Sequence, residues 1–303
     1  MIRELRLAYC VALICRVLEV TTSGYYAWFK RPPTIRQREE MRLELEIRAA
    51  HKRTRQTYGP ERLQRDLADN GVVVGVHRIK RIRRKLGLRC RQKRKFKVTT
   101  DSRHSLPVAE NLLDQRFEAS APNQIWLSDI TYIPTREGWL YLAGHKDLFT
   151  GEVVGYAMSE RMTKNLVSQS LLNAIAAKRP ATGLIQHSDR GSQYCAREYA
   201  FLLDRFGMRA SMSRKGNCYD NAPMESFWGV LKSEQVHHCR YETRQAAISD
   251  ITEYIEIFYN RQRRQARLGF LSPASFERGF CAPCKGAVFQ RVRIPPGNFH
   301  SSR

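Results

Sequence analysis

The hydrophobic rhythm of this chain changes near residue 123: apolar side chains recur at helical spacing before it and run in short strand-like stretches after it. Residues 11–18 predict a helix, Glu19 to Thr22 a turn, and Ser23 the cap of a second helix over 24–29, which Pro32 and Pro33 stop. A charged helical spacer follows over 36–52. Pro60 suits the first turn of a helix with Leu63 and Leu67 on its inner face, Asn70 and Gly71 break it, and Val76, Ile79, Ile82 and Leu86 mark another. The pattern thus predicts an N-terminal helix-turn-helix-like segment (1–35), the spacer (36–52), a second helix-turn-helix module (53–90) and a basic linker (91–120). Pro107 and Pro122 bracket one further short helix.

Beyond the break, residues 125–134, 139–142 and 153–158 read as strands separated by the hairpin signals Gly138 and Thr150-Gly151. A helix over 163–178 presents Leu166, Leu171, Leu172 and Ile175 on its apolar face. A strand at 184–186, a helix at 196–206 and a strand at 208–212 follow. The order βββαβαβα matches an α/β fold of the RNase H-like kind, a mixed five-stranded sheet with flanking helices, preceded here by all-α modules. It would occupy 121–280 and leave a tail at 281–303.

Charge sharpens this picture. The 303 residues carry a formal net charge of +23 with 42% hydrophobic content, enough for a buried core and far from neutral. A polyanion is the usual compensating partner, so nucleic acid leads and an anionic membrane surface is second. No stretch approaches the roughly 20 apolar residues of a spanning helix. Residues 7–15 imitate a leader, but Arg16 and Glu19 follow at once, which makes a cytoplasmic protein the expectation. Residues 1–120 hold 28 Lys and Arg against 13 Asp and Glu, and the stretch 78–97 has twelve cations and no acid. On the helix beginning near Val76, the apolar stripe is backed by Arg78, Lys80, Arg81, Arg84 and Lys85, the surface a recognition helix offers to phosphates and base edges; Arg78, Arg81, Arg84 and Lys85 are the expected contacts. The eight cysteines have no disulfide framework. Cys281 and Cys284 alone have metal-like spacing, with His237, His238 and Cys239 as conceivable partners, but half a zinc pattern reads better as small hydrophobes.

Three acids carry the candidate chemistry. Asp129 lies inside the first apolar strand, Asp189 just past the fourth and Glu225 at the start of an amphipathic helix, with 59 and 35 residues between them. In the expected fold these positions meet at one edge of the sheet. Hard carboxylate oxygens suit Mg²⁺ or Mn²⁺, and two such ions can drive in-line displacement at phosphorus, Asp129 bridging both, Asp189 on one and Glu225 on the other. Asp147 and Glu152, near the hairpin, read as structural carboxylates.

The runs WLSDITY (126–132), HSDRGSQY (187–194) and DNAPMESFW (220–228) resemble the retroviral-integrase-like core of bacterial insertion-sequence transposases, and the 35-residue gap before the glutamate is that superfamily's spacing. More narrowly, nearly the whole chain is similar to second-reading-frame proteins of the insertion sequence three group, including Tyr259-Asn260, Arg263 and the run LGFLSP (268–273). The resemblance implies binding of terminal inverted repeats, cleavage that frees a 3′-OH, and attack of that 3′-OH on target DNA. It implies at least a homodimer and an upstream-frame partner, separate or fused. It makes Lys232, two turns along the helix from Glu225, a DNA contact near the element's end. The residues of 213–223, with Arg214, Lys215, Gly216 and Asn217, read as a mobile loop beside the acids; Arg214, Lys215 and Asn221 are expected DNA contacts, Asn221 positioning the loop or the DNA. Many relatives carry His where this chain has Gln265. A nuclease that never joins strands and a DNA-binding regulator with an inert core are the alternatives.

Overall fold

A computed structural model describes residues 2–5, 8–91, 108–214 and 217–281. Most of the basic linker, Lys215, Gly216, Cys284 and the tail from 282 lie outside the described residues. The front of the chain is helical: α1 (Ile2–Leu5), α2 (Val11–Val17), α3 (Thr22–Lys30), α4 (Ile35–Arg53), α5 (Pro60–Asp69) and α6 (Val76–Lys85). The cap of α3 is Thr21, not Ser23: Thr21 is extended, and its hydroxyl accepts the Gly24 N–H at 3.1 Å, so the helix starts two residues early. A reciprocal capping box joins Thr34 and Gln37 at the head of α4. The short helix expected between Pro107 and Pro122 is absent among the described residues. The Asn111 side chain accepts the N–H groups of Leu113 and Asp114, both at 3.1 Å, and Asp114 and Gln115 take positive φ, so the chain turns instead of coiling.

The strands are β1 (Ile125–Thr135), β2 (Gly138–Asp147), β3 (Val153–Ser159), β4 (Ile185–Ser188) and β5 (Arg209–Met212), in the order β3-β2-β1-β4-β5. β1 pairs antiparallel with β2 and parallel with β4, so the sheet is mixed and β1 is its central strand. β2 runs five residues further than its sequence suggests, because the end of its second half, His145 to Asp147, is polar yet buried. His145 shows how: fully enclosed, it bonds Gln186 at 3.3 Å and Ser170 at 3.0 Å, so its polarity is satisfied inside the core.

Alternation along β1 divides two packed faces. Trp126 faces α7 (Lys164–Lys178) and α8 (Arg197–Arg205), meeting Val167, Leu171, Tyr199 and Leu203. α7 lies so close to β3 that a Cβ added to Gly155 would stand 2.4 Å from the Ala174 backbone nitrogen. Leu127 faces α9 (Ala222–Glu234), α10 (Arg244–Glu253) and a wide π-helical run, Tyr254–Gln262. On this side Asn260 reaches the edge strand, its side chain both accepting from Val153 N–H and donating to Val153 C=O at 3.0 Å. The Leu127 cluster does not stop at the sheet: it continues through Tyr58, Ile47, Leu63 and Ile79 into α4, α5 and α6. α11 (Pro273–Cys281) packs Phe276 against Phe149. Among the described residues no helix is long and apolar enough to cross a membrane.

Candidate active site and nucleic-acid interface

The three acids gather over the centre of the sheet, where its antiparallel and parallel halves join, and not at an outer edge strand. Asp129 sits on β1 opposite Gly144 of β2. A Cβ at Gly144 would lie 3.1 Å from the Trp228 ring, and its absence lets that ring lie flat enough on the sheet for its Nε1–H to donate to Asp129 Oδ2 at 3.2 Å. The Ile130 N–H donates to the other oxygen at 2.7 Å. Asp189 follows the last residue of β4, which the Leu127–His187 pairing brings alongside β1; its Oδ1 accepts the Gly191 N–H at 2.9 Å. Glu225 projects from the first turn of α9, solvent-exposed, where the helix dipole favours a carboxylate.

Electrostatics ties these groups together. Burial, then the charge of Asp189 and of Glu225, pushes the Asp129 carboxyl well above the usual carboxylate range. Burial and Asp189 raise Glu225 as well. Repelling oxygens of this kind fit a hard divalent cation, whose charge removes the repulsion. Among the described residues no three such side chains close into a complete metal cage. An open set with two half-buried acids and one exposed suits ions that retain waters and take phosphate oxygens as further ligands.

Lys232 shares the α9 face with Glu225 and Trp228, but it is buried, with its ammonium 4.7 Å from the centre of the Tyr132 ring and lowered by that burial against the pull of Asp129. It braces the floor of the site. Asn221 is also inside: its amide donates to Ser128 C=O at 2.9 Å, next door to Asp129, while its Oδ1 is buried with no hydrogen-bond partner. Arg214 binds Asp220 through Nη2 at 2.9 Å and Nε at 3.1 Å, and Asn111 and Gln115 donate to the same carboxylate at 3.0 Å. Burial alone would raise Asp220; Arg214 and these donors bring it down to about 2. The expected mobile loop is therefore anchored at its flank.

Some groups around the site were not singled out from the sequence. Trp228 was legible as the residue three after Glu225, hence on the same helix face. Lys146, buried on β2, donates to Pro223 C=O at 2.9 Å and pins the head of α9; nothing in its charged neighbourhood, Lys146-Asp147, signals that. Glu234, at the other end of α9, receives Arg263 through Nε at 2.8 Å and Nη2 at 2.7 Å and the Tyr254 hydroxyl at 2.7 Å. Gln265 is buried, accepts Arg267 at 3.2 Å and leaves its Nε2 without a partner. Asp147 and Glu152 have structural roles: Asp147 accepts Thr150 and Asn123 N–H groups, and Glu152 pairs with Lys178 at 2.6 Å. Cys281 is exposed, and no His–Cys metal group forms among the described residues.

On α6, Ile79 and Ile82 are buried and the cations divide. Arg81 pairs with Glu40 of α4 at 2.9 Å, and Lys85 pairs with Glu44 and lies 3.9 Å from Glu40. Arg78 lines an open groove between α4 and α6 with Arg36, Glu39 and His77. Arg84 and Lys80 are exposed on the remaining face.

Comparison with known proteins agrees with this architecture. Models described as an HTH-like domain and as integrase core domains match residues 37–96, 119–218 and 225–279. The chain is 58% identical over 267 residues to an uncharacterized 31 kDa protein of insertion element IS600 from Shigella sonnei, spanning 88% of this chain and 98% of that protein. It is 42% identical over 271 residues to the transposase InsF for insertion sequence IS3A of Escherichia coli (strain K12), spanning 89% and 94%. Among solved structures it is similar to a simian T-cell lymphotropic virus intasome (18% identity, 77% and 76% covered, TM-score 0.45). It is also similar to the HTLV-2 integrase catalytic core domain with magnesium (17%, 52% and 99%, TM-score 0.42). With a helix-turn-helix-like segment in front of an integrase-type core, and with the IS600 and IS3A proteins matched over 98% and 94% of their length, the chain belongs to the IS3 family of insertion-sequence transposases.

Proposed function

We propose that this protein cuts the ends of its insertion element and joins them to target DNA, with Asp129, Asp189 and Glu225 as the catalytic, metal-holding acids. The observation that carries this reading is the grouping of Asp129, Asp189 and Glu225 beside a solvent-open rim, with Asp129 held by Trp228 and raised by its burial and then by the charges of Asp189 and Glu225. Two Mg²⁺ or Mn²⁺ ions bound there would supply activation of the attacking oxygen and stabilisation of the leaving one. The protein's own residues prepare the place: the Ile130 and Gly191 N–H groups and the Trp228 indole fix the carboxylates, and Lys146 and Asn221 fix the helix head and the strand behind them.

The chemistry balances without ATP. Water forms a new P–O bond at the element's end as the bond to the 3′ oxygen breaks, and that oxygen leaves as a 3′-OH. The 3′-OH then forms a P–O bond in the target as another breaks, its proton passing to solvent and the departing oxygen taking one up. The 53–90 module and the rim around Arg214 would bind the terminal repeats, while Lys232, expected from the resemblance to touch DNA, is buried and would instead hold the site floor. Pairing of two ends implies at least a dimer, and a product of the upstream frame is the expected partner. All of this fits a cytoplasmic protein acting on the nucleoid.

The deciding experiment is incubation of purified protein with labelled terminal repeats, target DNA and Mg²⁺. Joined products are expected. Cleavage with no joining would identify a nuclease, and binding with no chemistry would identify a regulator. Asp129→Asn should abolish cutting and joining while terminal-DNA affinity, read by fluorescence anisotropy, stays within about threefold because the acid lies off the recognition helix.

A further inference from the structure

We infer that Arg55 and Arg91 form a clasp that fastens the DNA-binding module to the rear of the helix bearing Glu225, making both arginines positioning residues for strand cutting; the inference rests on the function proposed above. The clasp begins in the turn after α4, where Arg55 and Gln56 adopt φ of 54° and 60°. Two successive non-glycine residues in this region persist only where their surroundings over-determine them. Here the conformation lays the Arg55 guanidinium on the Phe258 ring at 4.9 Å and the Tyr254 ring at 5.7 Å. The same group donates to Gln235, the residue capping α9, at 2.9 Å and pairs with Glu253 of α10. Gln235 in turn donates to both Asp250 oxygens at 2.8 Å.

Arg91 makes the second grip. Its N–H donates to Gln56 C=O at 3.0 Å, tying it to the strained turn, and its guanidinium donates to Glu234 C=O at 2.7 Å. That carbonyl is at the negative end of α9, where a cation is favoured. Tyr58 adds a third contact, donating to Gln262 C=O at 3.1 Å and accepting the Arg264 N–H at 2.7 Å. Behind these bonds lies the hydrophobic cluster that runs unbroken from Ile79 to Leu127. A tethered bead would have neither a shared core nor polar bonds spanning 143 and 180 positions of sequence.

The consequence is mechanical. α9 is a short rod with Glu225 in its first turn and Glu234 at its last, about 14 Å apart at 1.5 Å per residue. Lys146 fixes the front, and the clasp fixes the rear. Displacements near an ångström at reacting groups are enough to slow catalysis by about a hundredfold. Duplex bound on α6 is thereby held in register with Glu225 of the same chain.

The test uses the full chain with Arg55→Ala and Arg91→Ala, singly and combined. Calorimetry, anisotropy on a labelled terminal duplex, and single-turnover cleavage of the bound duplex across a Mg²⁺ titration are compared. The wild type should unfold in one transition and the double variant in two. Duplex affinity should change by less than about threefold, while cleavage from the bound state drops by about tenfold or more and half-saturation by Mg²⁺ moves upward. Gln235→Ala, which removes the acceptor of Arg55 and the bonds to Asp250 but leaves both arginines in place, should move cleavage the same way by a smaller factor and keeps the test decisive if an arginine variant misfolds. Two transitions in the wild type overturn the clasp. Unchanged cleavage of bound DNA in Gln235→Ala and in the folded arginine variants overturns the positioning role. A wild type that never cleaves would defeat the proposed function instead, and calorimetry would still decide the clasp.

Discussion

Trp228 does at the level of one residue what the acids cannot do for themselves. Its indole N–H is aimed at Asp129 Oδ2, and the missing Cβ of Gly144 makes the space. Trp228→Phe keeps a ring on the sheet and deletes the donor. A hydrogen bond to a charged group is worth about 1.5–3 kcal/mol, so single-turnover cleavage is expected to fall by roughly ten- to a hundredfold with little change in melting temperature. Unaltered cleavage would remove Trp228 from the machinery. The acids themselves were legible as residues because a carboxylate inside an apolar strand and another past a strand end are conspicuous. Some of their supports were not: Lys146 and Glu234 look like ordinary surface polarity until the fold buries them, and whether a polar side chain is buried depends on partners far away in the chain.

At the scale of the element, β2 is the instructive case. Its second half was hidden because Gly144, His145, Lys146 and Asp147 break the alternation expected of a strand, and each is polar or small for a reason the sheet supplies: room for Trp228, a bond to Ser170, a grip on Pro223, a cap for Thr150. The other strands and helices that the pattern predicted lie within a few residues of their expected bounds, because their apolar faces do the packing, whereas α10, the π-helical run and α11 were not predicted. The short helix expected near residue 115 failed because Asn111 offered the backbone a competing set of bonds. β2 also sets a pH response. Burial holds His145 at about 4, below the 6.5 of an exposed imidazole. The folded state then binds fewer protons than the unfolded one, so His145 contributes stability fully above pH 6.5 and loses it as pH falls towards 4. The urea midpoint should decline across that window, and His145→Gln should flatten the decline, by up to about 3 kcal/mol over the full span. An identical slope in the variant would show that His145 takes up its proton at the same pH in the folded and unfolded states.

The whole molecule is a strongly basic front end, with 28 Lys and Arg against 13 Asp and Glu in residues 1–120, joined by one continuous core to a less basic sheet domain that carries the three acids, and that excess of charge at the front was visible from composition alone. The join was not, since the contacts of Arg55 and Arg91 with α9 span too much sequence for any local pattern to reveal. Nor was the arrangement of α4 against α6. Glu40 and Glu44 stand beside Arg81 and Lys85 much as phosphates would. On the DNA-binding role proposed above, carboxylates there would act as a built-in decoy: a duplex approaching that side of α6 would have to evict them before it could use those two cations. The eviction releases an attached side chain rather than free ions, so it adds nothing to the entropy gained when counterions leave DNA. Random DNA would thereby be penalised, and only a sequence whose base contacts repay the exchange would bind tightly. Glu40→Gln with Glu44→Gln should raise affinity for non-specific duplex and steepen its salt dependence by about one to two units of slope, measured by anisotropy across a salt series. An unchanged slope would mean that Arg81 and Lys85 never meet the backbone. The same two acids that look like poor design on a recognition surface would then serve to keep a protein of net charge +23 from settling on every stretch of chromosome it meets.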